Sequence, residues 1–132
     1  MDTINFESGK MTFENGILLV EYNQGLIIDE EVLINQIMCR KKLTGDQDFY
    51  YVINMSNAKD ITDGALALAA ANPNPENIKA IATITRYGVD YTRSKLYAMF
   101  DRPNIKTKAF LSLDAAKAWF ESLEPAILRK AS

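Results

Sequence analysis

The chain has no histidine and a single cysteine. Without histidine there is no Ser-His-Asp or Cys-His catalysis, and the commonest zinc ligand is missing. One cysteine, Cys39, cannot build an internal disulfide framework. It falls within an apolar helical pattern, so it reads as a structural thiol. No apolar run approaches the roughly 20 residues of a membrane helix. The N-terminus lacks the charged-then-apolar layout of a signal peptide. These absences point to a reducing, cytoplasmic setting with no membrane span.

Charge of one sign is scarce too. Fifteen basic residues stand against seventeen acidic ones, a net charge of −2. Nucleic acid needs clustered Lys and Arg on one face, and no such footprint is present, so nucleic acid is excluded as a partner. The densest basic run, Arg40-Lys41-Lys42, closes a predicted helix and complements its dipole there. Phosphate-cradling loops are missing: Thr44-Gly45-Asp46 and Tyr87-Gly88-Val89 are isolated glycines outside any phosphate-binding pattern. No cofactor is implied.

What is present fits one domain, 1–132, with its core between about Met11 and Leu123. Of the 132 residues, 48% are hydrophobic and 24% charged, enough to build a core without disulfides or metal. Asn15-Gly16 lies between Lys10 to Glu14 and Ile17 to Tyr22. Both turn residues tolerate positive φ, so this is a type I′ hairpin signal. Residues before Gly9 are a lead-in or a short extra strand.

Asp29 is an N-cap, followed by Glu30 and Glu31 in the first turn of a helix. Leu33, Ile34, Ile37 and Met38 repeat at helical spacing, and Gly45 is positioned to end it. Phe49-Tyr50-Tyr51-Val52-Ile53-Asn54 is aromatic and β-branched without polar alternation, the pattern of a strand covered on both faces. A small-residue helix follows from about Asp63 to Asn72, and Pro73 and Pro75 stop it. Ile78 to Thr85 reads as a strand, Val89 to Phe100 as a third helix, and Ile105 to Leu111 as the last strand. Ser112 caps a fourth helix bearing Trp119 and Phe120. The order β-β-α-β-α-β-α-β-α implies parallel strands with right-handed crossovers and an antiparallel N-terminal edge. The expected core includes Leu33, Ile37, Val52, Ile53, Leu96, Phe100, Trp119 and Phe120.

Two constellations could carry chemistry. Asp60 and Asp63, three apart, could share a cation, although acidic residues at a helix start also stabilise its positive end. Tyr87, Tyr91, Tyr97 and Phe100 could line an apolar cleft beside the third helix, although such residues more often pack as core.

Three stretches carry a family resemblance: the strand Phe49 to Asn54 with the helix start Asp63-Gly64; Ala80-Ile81-Ala82-Thr83-Ile84 leading into the third helix; and Ala109 to Phe120, a strand running into a Trp-bearing helix. Together they resemble a SpoIIAA-like domain, the STAS fold of anti-anti-sigma factors, and more closely a group of uncharacterised bacterial proteins with that fold. The resemblance spans most of the chain. It implies an α/β domain of SpoIIAA-like superhelical β-α layout: a mainly parallel mixed sheet, an N-terminal antiparallel hairpin and four main helices. Anti-anti-sigma factors carry an Asp-Ser-Ser-Gly turn before the second helix, and a partner kinase phosphorylates its first serine. This chain reads Ile61-Thr62-Asp63-Gly64. Thr62 keeps a hydroxyl at that position, Ile61 replaces the Asp, and Asp63 replaces the second serine.

The leading functional expectation is therefore a non-catalytic regulatory or protein-interaction module with an unidentified protein partner. Its surface would be the loop from Asn57 to Gly64, with Asp60, Thr62, Asp63 and Gly64 as the site. The alternative is a carrier or sensor of a small apolar or lipid-like ligand in the cleft formed by Tyr87, Tyr91, Tyr97 and Phe100. An enzyme ranks third, because no nucleophile–base pair is visible. Assembly as a homodimer is left open.

Overall fold

In a computed structural model of the chain, residues 2–71, 77–85 and 105–123 are described. Asn15 and Gly16 take φ of 52° and 77°. That places both in the left-handed region and makes the turn between β2 (Gly9–Glu14) and β3 (Ile17–Tyr22) the type I′ kind. The segment ahead of Gly9 is a strand, β1 (Asp2–Phe6), paired antiparallel with β2. The N-terminal edge is thus a three-stranded meander.

Parallel strands continue the sheet from β3. The six-stranded sheet has the order β1-β2-β3-β5-β7-β8, where β5 is Phe49–Asn54, β7 is Ile78–Ile84 and β8 is Lys106–Phe110. β3, β5, β7 and β8 are mutually parallel. Two short strands complete the described set. β4 (Leu26–Ile28) and β6 (Ala58–Ile61) pair parallel as a separate ribbon beyond the ends of β3 and β5. Neither was expected from the sequence, because three or four residues are too few to show a period of two.

The described residues form three helices, not the four expected: α1 (Glu30–Thr44), α2 (Asp63–Ala71) and α3 (Leu113–Leu123). The remaining expected helix, Val89 to Phe100, lies outside the described residues, as do Leu96 and Phe100 of the expected core. Asp29 caps α1 by accepting a hydrogen bond from the Val32 N–H at 3.0 Å. Gly45 ends it at φ 55°, its N–H donating to the Lys41 carbonyl. Ser112 caps α3 through the Ala115 N–H at 3.1 Å.

β5 is buried on both faces, and its alternation divides the core in two. Phe49, Tyr51 and Ile53 join Met11, Leu18, Val20, Val32 and Leu33 beneath α1 and α2. Tyr50 and Val52 face the other way, onto Ala80, Ala82, Ala116 and Phe120 beneath α3. Tyr50 stacks on Phe120 with ring centroids 4.5 Å apart.

Two sequence expectations need correction. Trp119 is half-buried: it packs at the edge of the α3 cluster, 5.5 Å from Phe110, and Phe120 is the fully buried anchor. In α1 the buried stripe is Val32, Leu33 and Gln36, with Cys39 and Leu43 packed beside it. Ile37 is half-buried, while Ile34 and Met38 are about half exposed at 50% and 55%. The apolar periodicity marked the wrong phase because the helix buries a glutamine.

Gln36 is buried for a reason. The Tyr22 hydroxyl donates to its Oε1 at 2.5 Å, and its Nε2 donates to the Tyr51 hydroxyl at 2.7 Å. The Arg40 guanidinium lies 5.8 Å from the Tyr51 ring centroid. Burial pushes the Tyr22 hydroxyl well above the usual tyrosine range, and Tyr51 beside it adds to that rise. Burial raises Tyr51 as well, partly offset by the Arg40 charge.

Candidate interaction site at two helix ends

The β4–β6 ribbon brings the starts of α1 and α2 together. The Thr62 N–H donates to the Ile28 carbonyl at 2.9 Å, so the cap of α2 is tied directly to the residue before the cap of α1. Asn57 stitches the turns behind them. Its carbonyl accepts from the Gly25 N–H at 2.7 Å, and its side-chain amide donates to the Tyr22 carbonyl at 3.2 Å. Asn54 shapes the entry to β6 by accepting from the Ser56 N–H.

Thr62 is the N-cap of α2. Its Oγ1 accepts from the Ala65 N–H and its carbonyl from the Leu66 N–H, both at 3.1 Å. That hydroxyl satisfies one of the free amides that every helix start leaves. Asp63 is exposed in the first turn. Asp60 is half-buried on β6, where its Oδ1 accepts from the Ile61 N–H at 2.8 Å. Gly64 is crowded from the neighbouring helix: the Glu30 carboxylate occupies the space a β-carbon there would need. All four expected site residues therefore stand in one short stretch, but each in a different role.

Sequence reasoning missed the contribution of α1. Asp29, Glu30 and Glu31 at the start of α1 and Asp63 at the start of α2 put four acidic residues at two positive helix ends, which the Thr62–Ile28 bond joins. The signal was available in part, since Asp29-Glu30-Glu31 reads as a helix start. The Thr62–Ile28 bond that joins the two helices depends on the ribbon, which the sequence did not reveal. The suggested Asp60–Asp63 cation pair finds no wider support, because no group of three or more metal-ligating side chains forms among the described residues. Tyr87, Tyr91, Tyr97 and Phe100, the residues of the apolar-cleft alternative, lie outside the described residues. No described helix is long and apolar enough to cross a membrane.

Comparison with known proteins places this geometry. The chain resembles the crystal structure of an uncharacterised protein of the DUF3478 family from Shewanella loihica PV-4, which has a SpoIIAA-like fold. The TM-score is 0.56 at 15% sequence identity, covering 78% of this chain and 81% of that one. At that identity the likeness establishes the fold, and the fold is SpoIIAA-like. No curated protein matches the chain. Residues 11–124 match the family described as Domain of unknown function (DUF7793), and the chain belongs to that family.

Proposed function

We propose that the chain is a non-catalytic, cytoplasmic protein-interaction module whose working surface is the joined helix ends of α1 and α2. One observation carries the reading: the Thr62–Ile28 hydrogen bond fuses two caps into a single acidic end displayed outside the sheet. Asp29, Glu30, Glu31 and Asp63 are exposed there. Ligands of open α/β sheets bind outside the carboxyl ends of the strands, and this surface lies at that end of β3 and β5. The structural neighbour is itself uncharacterised, so it lends the fold and no role.

Thr62 enters as a positioning residue. A phosphate on its hydroxyl would displace the cap and stand among Glu30, Asp60 and Asp63, so the positive helix end is already compensated. Affinity capture from the source cell with the parent, Thr62→Ala and Asp63→Lys forms tests the surface. Loss of the same partner in Asp63→Lys and its retention in Thr62→Ala support the reading. A partner set unchanged by Asp63→Lys and by Glu30→Lys refutes it.

A further inference from the structure

Beside the acidic end, the turn between β1 and β2, strand β4 and the first turns of α1 enclose a groove of about 300 Å³. Its apolar lining is Leu26, Ile27 and Val32, and Ile27 is 49% exposed. Among the described residues that line it, three are acidic, Glu7, Asp29 and Glu31, and none is lysine or arginine. Glu31 and Glu7 are exposed and make no ion pair among the described residues.

Ser8 adds an observation independent of the charge. The residue is only 7% exposed, and its carbonyl accepts from the Asn23 N–H. Its hydroxyl has no hydrogen-bond partner among the described residues. It is also not sealed off, since no fully buried side-chain polar atom lacks a partner among the described residues. Ser8 is one of the residues that line the groove.

We infer that this groove is a docking site for an arginine side chain carried on an extended segment of a partner protein. An arginine offers an apolar stem for Leu26, Ile27 and Val32, and a five-donor guanidinium for the surrounding carboxylates and the Ser8 oxygen. The volume is at the lower end of small-molecule pockets and suits one long side chain. β4 pairs with β6 and with no other described strand, and it lines the groove, so extended backbone has an edge to lie along. The inference rests on the interaction-module reading and supplies the partner's chemistry.

The test uses the full chain and a short acetylated, amidated peptide with one arginine between leucines. Its controls are a twin with citrulline for arginine, and free acetyl-arginine amide. Saturable binding of the arginine peptide, weakened about tenfold or more by citrulline, is expected. NMR shifts should centre on Ser8, Leu26 and Ile27. A Glu7→Gln/Glu31→Gln double variant should lose about as much as the citrulline peptide does, and Ser8→Ala should lose a few-fold while keeping the parent spectrum. No saturable binding, equal binding of the citrulline twin, or affinity unchanged in the double variant overturns the inference. So does free acetyl-arginine amide binding as tightly as the peptide. If the peptide fails while cellular capture still depends on Asp63, the groove assignment falls and the interaction module stands.

Discussion

Replacing Gln36 with leucine should cost far more than its modest change in size suggests. Gln36 is 4% exposed and joins two buried tyrosines, accepting from Tyr22 and donating to Tyr51. Leucine removes both hydrogen bonds, each worth about 0.5–1.5 kcal/mol net. Tyr51 keeps the nearby Arg40 guanidinium, 5.8 Å from its ring centroid. Among the described residues Tyr22 keeps no partner for its hydroxyl proton, and a buried donor without an acceptor costs about 1–3 kcal/mol. Some of this is regained as leucine buries apolar surface, so the expected net loss is about 2–4 kcal/mol. At a urea slope of about 1.5 kcal/mol/M, the unfolding midpoint should fall by about 1.3–2.7 M. The double variant Tyr22→Phe/Gln36→Leu removes the stranded hydroxyl and should recover about 1–2 kcal/mol of the loss. Equilibrium urea unfolding at neutral pH of the parent, both single variants and the double variant closes a cycle that isolates the coupling. A Gln36→Leu midpoint equal to the parent, or effects that simply add, would refute a glutamine-centred packing of α1 on the sheet.

The remaining predictions test other parts of the molecule. Tyr22 and Tyr51 both have raised folded-state values, so the folded state holds their protons more tightly. Their contribution is intact below about pH 10 and is lost as pH climbs toward the folded values, at about 1.4 kcal/mol per pH unit for each tyrosine. Denaturant titrations at rising alkaline pH should show that slope, and a Tyr22→Phe/Tyr51→Phe chain should lack it. Thr62→Ala should lose about 1 kcal/mol of stability and Thr62→Asp much less, since aspartate caps as well as threonine; equal midpoints for all three would remove the cap assignment. Phe120→Ala should cost about 3–5 kcal/mol and Trp119→Ala clearly less, because only Phe120 is sealed in the core. A reversed order in thermal or urea unfolding would show that Trp119 anchors α3.

The parts of the fold that local chemistry dictates were legible in the sequence. Asn15-Gly16 needs no tertiary context to favour a type I′ turn, and both residues adopt it. Asp29, Ser112 and Gly45 announce helix ends through the same short-range bonds that they make in the structure. β5 was readable as central because an unbroken apolar run can be satisfied only by cover on both faces, and it receives that cover. What failed is what depends on distant partners. α1 turns Ile34 and Met38 outward because a buried Gln36 is satisfied by Tyr22 and Tyr51, which lie 14 and 15 residues away in sequence. β4 and β6 each carry too little pattern to announce a strand, and they form because β3 and β5 already run side by side. The candidate site shows the same division. Asp60, Thr62, Asp63 and Gly64 are proposed from their own stretch of chain, whereas Glu30 comes against Gly64 only through the fold.

The charge at this end has two sources, and they can be told apart. Asp29 serves α1 as its cap, and Glu30, Glu31 and Asp63 occupy first turns where carboxylates stabilise the positive pole of a helix. Helix stability alone accounts for those four. Glu7 has no helix to serve. It stands in the turn between two antiparallel strands, and among the described residues only its backbone carbonyl is engaged, by the Asn23 amide at 2.8 Å. Glu7 nevertheless lines the groove together with Glu31. Neutralising Glu31 removes a favourable helix interaction along with any interaction with a ligand. Neutralising Glu7 removes only the second. Glu7→Gln should therefore leave the stability from urea unfolding within about 0.5 kcal/mol of the parent while weakening the arginine peptide. A Glu7→Gln chain that is destabilised and still binds at full strength would reassign this carboxylate to the fold and leave the groove without its distinguishing charge.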